Sequence, residues 1–207
     1  MLLDDQECQL ALVDYQVRLL PAMFEGPLVL ANAVRLARIA QALQVPVFGT
    51  EQNPDKLGEN MPELRSAITQ GKGRILAKMS FSACPDGLVD ALRPPQRQGS
   101  ASGNARSLPR HLQKAPPPDA PARNSIVLAG CEAHICLLQT ALELLEQEFD
   151  VWVVTDACSS RTERSRDAAF DRLAGNGAEL VTTEMVAFEW LRSADHPMFR
   201  TVLGLIK

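Results

Sequence analysis

The sequence predicts an α/β protein: a parallel sheet with helices packed on both faces. Two observations predict it. Six apolar runs of strand length recur along the chain and alternate with helical segments. The runs are near-continuously apolar, as strands buried on both faces must be, rather than alternating between apolar and polar residues. Right-handed crossovers follow from that arrangement, and no internal repeat interrupts it.

The elements follow in order. Residues 8–14 form the first strand. Residues 28–44 form a helix whose apolar stripe runs through Val29, Ala33, Leu36, Ala40 and Leu43, with Arg35, Arg38 and Gln41 off the stripe. Residues 45–50 are the second strand, and Pro46 suits its start. Residues 61–70 form a short helix with Pro62 in the first turn. Residues 74–78 are the third strand and 85–92 a short helix. The fourth strand, 125–130, leads to a helix over 135–148. The fifth strand, 150–155, leads to a helix over 162–174 that stops at Gly175-Asn176-Gly177. The sixth strand is 178–182, and helices over 183–192 and 196–207 close the chain.

Between the third helix-length segment and the fourth strand the composition breaks. Residues 94–123 hold seven of the 14 prolines and five Lys/Arg against one acid, Asp119. Such a stretch cannot join a sheet interior and reads as an extended surface insertion in an otherwise single domain.

Bulk properties narrow the function classes. At 207 residues, 46% hydrophobic and 22% charged, the chain can bury a substantial core without staples. A net charge of −4 gives no general attraction to nucleic acid or to anionic lipid. The acidic start, MLLDDQECQ, lacks the basic region of a secretory signal, and no apolar run reaches membrane-spanning length. Five cysteines without such a signal point to reduced thiols in a cytoplasm. His111, His134 and His196 lie far apart with no metal-ligand spacing.

Ligands of an open parallel sheet bind beyond the C-terminal ends of its strands. There the first strand ends at Asp14, the second at Glu51-Gln52, the third at Lys78, the fourth at the Cys131–Cys136 turn and the fifth at Asp156. An Asp, a Lys and a Cys at strand ends that can be neighbours make a base, a cation and a nucleophile. Cys136 opens a helix after a strand. Unpaired N–H groups there, together with Lys78, are expected to lower its thiol pKa and leave it partly as thiolate near neutral pH.

Five ordered stretches resemble the isochorismatase-like cysteine hydrolases, closest to the small isochorismatase-domain-containing proteins. They are Leu12-Val13-Asp14-Tyr15-Gln16, Thr50-Glu51-Gln52-Asn53-Pro54 with Leu57-Gly58, Lys78-Met79-Ser80-Phe81-Ser82, Ala129–Cys136 and Asp156–Arg161. Order and spacing match from residue 8 to the end, apart from the insertion. The resemblance implies a three-layer α/β/α, Rossmann-like fold with a six-stranded parallel sheet. It also implies a catalytic triad of Asp14, Lys78 and Cys136, a non-proline cis peptide at Cys131–Glu132, and an oxyanion hole made by the N–H groups of Glu132 and Cys136. Metal-binding nicotinamidases of this superfamily carry an Asp and histidines after the second strand. Here that loop reads Glu51-Gln52-Asn53-Pro54-Asp55, so the expectation is no metal and no other cofactor. Isochorismatases proper lack the nucleophilic Cys, whereas this chain has it, which favours acyl transfer through a thioester.

The expected function is therefore hydrolysis of a small amide-like C–N bond. Tyr15, Gln16, Phe24, Glu51, Gln52 and Phe81 are candidates for the substrate pocket. The three aromatics are equally compatible with plain packing, and Glu51 and Gln52 either contact substrate or brace the loop. Asp156 is expected to brace the turn before the next helix, and Cys131 and Cys158 to be buried structural thiols. Expected partners are a small-molecule substrate and further copies of the chain (a dimer or larger), with no nucleic acid and no membrane. The alternatives are a catalytically silent interaction protein using the insertion and a thiol-redox protein using Cys131, Cys136 and Cys158.

Overall fold

The structure, a computed structural model, describes residues 2–93 and 123–207; the insertion expected over 94–123 lies, apart from Arg123, outside the described residues. Six strands, β1 (Cys8–Val13), β2 (Val47–Gln52), β3 (Arg74–Lys78), β4 (Ser125–Gly130), β5 (Asp150–Val154) and β6 (Glu179–Val181), form one sheet in the order β3-β2-β1-β4-β5-β6. Every pairing is parallel. The chain starts in the middle, builds one half outward through β2 and β3, then returns to β1 and builds the other half. The order reverses between β1 and β4, the point at which open parallel sheets bind ligands beyond the strand ends.

Every residue of β1 and β2 is buried, as are all but the first of β4 and β5, which is why these strands lack polar alternation. One helical layer consists of α1 (Gly26–Ala42), α3 (Pro62–Gln70), α7 (Thr183–Leu191) and α8 (Phe199–Ile206); α2 (Pro54–Leu57) is a single turn after β2. The other consists of α4 (Val89–Leu92), α5 (Leu138–Glu146) and α6 (Glu163–Gly175). The stripe read on α1 is buried at all five positions, while Arg38 and Gln41 are exposed. The apolar face of α8 packs on α1 and α7 of its own chain through the fully buried Val202. Among the described residues no helix is long and apolar enough to cross a membrane.

Boundaries moved where hydrogen bonds compete with composition. Strand β2 begins at Val47, because Pro46 has no N–H and contributes only its carbonyl, which Leu10 N reaches at 2.9 Å. The helix expected over 135–148 starts with a wide turn, Ala133–Leu137, before α5. The segment expected as a helix over 85–92 is a wide turn, Cys84–Leu88, broken by Gly87 at φ 101°, followed by α4. At the reversal point Gly130 is required by contact: a Cβ there would lie 2.6 Å from both the carbonyl oxygen and the Cβ of Val13.

Candidate active site

Asp14 leaves β1 in the left-handed region, φ 57°, a conformation that Asp tolerates better than most residues. The turn places its carboxylate, fully buried, at the reversal point of the sheet. Oδ1 accepts the Thr50 hydroxyl at 2.7 Å, and Asp14 N donates to the Thr50 carbonyl at 3.2 Å. Oδ2 is 2.8 Å from Lys78 Nζ.

Lys78 ends β3, 3% exposed. Its ammonium donates to Gln52 Oε1 at 2.6 Å, Phe81 O at 2.9 Å and Ser80 O at 3.2 Å. An ammonium has three donors, and these three oxygens take them. The fourth oxygen against the ammonium is Asp14 Oδ2, so the contact closes a buried ion pair in which the two charges balance.

The Cys136 thiol completes the group from the wide turn after β4, 5% exposed. Burial first, and then the Asp14 carboxylate beside it, push it up to about 12, the Lys78 ammonium lowering it only in part. This corrects the expected partial thiolate. Lys78 is outweighed by desolvation and by Asp14, so the resting thiol holds its proton. In the same turn the Cys131–Glu132 peptide is cis. The neighbouring donors are all engaged: Cys131 N on Val13 O at 2.9 Å, Ala133 N on Ser159 O at 2.7 Å and His134 N on Ser160 Oγ at 3.3 Å. Among the described residues no acceptor takes the N–H of Glu132.

The candidate pocket residues divide. Tyr15 is fully buried with its hydroxyl on Ala157 O, so it ties the end of β1 to the end of β5 and offers no wall to a substrate. Gln16, also fully buried, takes Gln52 N at 2.9 Å and donates to Gln52 O at 2.9 Å, continuing the sheet by side-chain mimicry of a strand. Glu51 accepts Asn60 N at 2.9 Å and Arg65 Nη1 at 2.6 Å, bracing the loop after β2. Tyr15 and Gln16 thus depart from the expected pocket role and Glu51 takes the bracing one of its two expected roles, because a buried polar group must find a partner. Gln52 instead turns to the Lys78 ammonium. Phe24 and Phe81 stay exposed on the loops after β1 and β3, with the Arg166 guanidinium 5.3 Å over the Phe24 ring.

Other polar residues act as struts. Asp156 Oδ1 accepts Thr183 N at 2.8 Å and Thr183 Oγ1 at 3.0 Å, so it braces the start of α7 rather than of α6. Asn32, buried on α1, donates to Asp156 O at 2.7 Å. His134 Nδ1 pairs with Ser160 Oγ at 2.9 Å, and Arg161 Nε reaches Glu132 Oε1 at 2.6 Å. Cys131 and Cys158 are buried, with thiols pushed up by desolvation, Cys158 to about 12. Among the described residues no three His, Cys, Asp or Glu side chains are grouped to hold a metal ion.

A 3-2-1-4-5-6 parallel sheet, with its polar centre at the reversal point, has the layout of a doubly wound, Rossmann-like α/β protein. The isochorismatase domain model matches residues 119–185. Isochorismatase domain-containing protein 2A of Mus musculus is 35% identical over 198 residues, 96% of this chain and 82% of the relative. Two solved structures superpose closely. A MAR1 ribonuclease from Caenorhabditis elegans gives a TM-score of 0.82 at 29% identity, covering 100% of this chain and 92% of its own. YcaC from Pseudomonas aeruginosa, with hexane-2,5-diol and covalent acrylamide, gives 0.78 at 26% identity, covering 99% and 91%. The chain belongs to the isochorismatase domain family.

Proposed function

We propose that the chain is a single-domain cysteine hydrolase of small amide-like C–N bonds, with Cys136 as nucleophile, Asp14 as the proton-carrying base and Lys78 as a fixed cation. One observation carries the reading. A protonated thiol sits beside a buried carboxylate that is itself paired with a buried ammonium at 2.8 Å. That is a nucleophile next to a base, with a cation held against both.

The thiol proton passes to Asp14 Oδ2 as Sγ attacks the carbonyl carbon. The carbonyl electron pair moves onto oxygen, where the N–H groups of Glu132 and Cys136 receive it. Collapse breaks the C–N bond, and the proton on Asp14 goes to the leaving nitrogen, leaving a Cys136 thioester. Water then gives a proton to Asp14 and attacks the thioester. The C–S bond breaks, the acid departs, and Asp14 returns its proton to Sγ. Lys78, held by its three oxygens, contributes chiefly through its fixed charge. It offsets the negative charge that moves between Asp14, sulfur and oxygen.

Acrylamide is an electrophile that thiols add to, so its covalent capture in the Pseudomonas aeruginosa relative supports a reactive nucleophile in this fold. The C. elegans neighbour is described as a ribonuclease, but a net charge of −4 favours a small substrate over a polyanion. The five free cysteines favour a cytoplasmic setting. Met79, Phe81 and Leu28, all more than half exposed, favour burial against further copies of the chain. The test is ammonia release from a panel of small primary amides, with intact-mass detection of an acyl group on Cys136. Release that persists in Cys136→Ser would overturn the proposal.

A further inference from the structure

We infer that Ser82 and Glu143 are positioning residues that hold the lysine loop against the nucleophile's helix. This rests on the triad reading above and extends it to two residues that touch neither substrate nor reacting atoms.

Two of the three acceptors on the Lys78 ammonium are backbone carbonyls, of Ser80 and Phe81. The place of the cation therefore depends on what fixes residues 79–83. From within the loop, Asp86 Oδ2 accepts Met79 N at 2.9 Å and Ser80 N at 2.8 Å. Across to α5 there are two ties. Ser82 Oγ, on a residue 3% exposed, donates to Glu143 Oε2 at 2.6 Å, and Ala83 N donates to Thr140 Oγ1 at 3.0 Å. Thr140 and Glu143 are three residues apart and so share a face of α5. That helix continues directly from the turn carrying Cys136. The two ties thus join the loop that places the cation to the helix that places the sulfur. A hydroxyl on a half-buried carboxylate is a strong, directional contact, well suited to fixing a loop whose carbonyls must stay put.

The same hydroxyl accepts Cys84 N at 3.2 Å, so Ser82 also anchors the following turn. Glu143 lies seven residues along the helix from Cys136, roughly 10 Å at 1.5 Å per residue. Its own charge reaches the thiol weakly, and its effect runs through Ser82.

The experiment follows iodoacetamide labelling of Cys136 by peptide-resolved mass spectrometry between pH 8 and 11, which needs no substrate. Ser82→Ala and Glu143→Ala release the loop, take the cation off the thiol and should slow labelling at pH 9 by about 3- to 10-fold, a rise of up to one pKa unit. Glu143→Gln keeps an acceptor for the Ser82 hydroxyl and should stay within about two-fold of wild type. Leu142→Ala, on the same helix but off the tie, should lower the melting temperature without moving the profile; that separates positioning from mere stability. Should Glu143→Ala not fold, Ser82→Ala carries the test. Profiles for Ser82→Ala and Glu143→Ala that superpose on wild type, while Lys78→Met slows labelling, overturn the positioning role alone. If Lys78→Met also leaves the profile unmoved, the triad reading falls and takes this one with it.

Discussion

Gln52 and Lys78 are partners on the last rung of the β2–β3 ladder, and the Gln52 amide oxygen accepts the lysine ammonium at 2.6 Å. The amide nitrogen donates onward to Met79 O at 2.8 Å. The side chain that ends one strand thus fixes both the charge and the backbone that end the next.

Gln52→Leu should leave one ammonium proton without an acceptor in a buried site. The expected loss is about 1.5–3 kcal/mol of stability, the range for a hydrogen bond to a charged group. Urea unfolding reads it. Turnover should fall with it, whereas a Gln52 merely bracing a loop would cost stability alone.

The buried Asp14–Lys78 pair predicts non-additivity. Asp14→Asn or Lys78→Met alone strands one charge and should cost about 3–5 kcal/mol. The double variant strands none and should recover a large part of that loss. Two single losses that simply add in the double would show that the charges are not coupled.

The same two substitutions should move Cys136 in opposite directions. Asp14 raises its thiol and Lys78 lowers it. Asp14→Asn should therefore speed iodoacetamide labelling and Lys78→Met slow it, each by about 3- to 10-fold. Both should abolish amide turnover. A faster thiol with no turnover is the signature of a lost base.

The wild-type labelling rate should climb steadily with pH toward about 12, the value to which burial pushes the Cys136 thiol. The half-exposed Cys84, pushed to about 11, should react sooner. A folded thiol raised above its unfolded value favours the fold below the unfolded pKa of about 8.5, and that contribution fades as pH rises. Stability should thus decline between about pH 9 and 12, with Cys158, Cys131 and Cys8 adding to the slope. A melting temperature flat across that window would contradict it.

Tyr15→Phe should cost about 0.5–1.5 kcal/mol through the lost hydrogen bond to Ala157 O, with kcat/KM unchanged. A rise in KM would return Tyr15 to the pocket wall.

The fold was legible because the sheet is buried on both faces and the helix stripes are regular. Asp14, Lys78 and Cys136 were legible as a group because strand ends converge in a parallel sheet, whatever the loops do. Their contacts were not. That Gln16 and Glu51 are struts depends on which backbone groups lack partners after folding, and local pattern does not encode that. The thiol's direction was misread because a helix start and a lysine can be read from sequence, whereas the cost of burying the sulfur cannot. Ser82 and Glu143 lie sixty-one residues apart and share no local signal, so only the packed helix pairs them.

The left-handed backbone at Asp14 sets a rule for dissecting the site by mutagenesis. At φ 57° most L-residues incur roughly 1–2 kcal/mol, whereas Asp and Asn occupy this region more readily. An alanine scan would therefore report backbone distortion and lost chemistry as a single deficit at this position, and overstate the carboxylate. Asparagine leaves the main chain where it was, so it is the only single replacement here whose effect can be assigned to the missing charge.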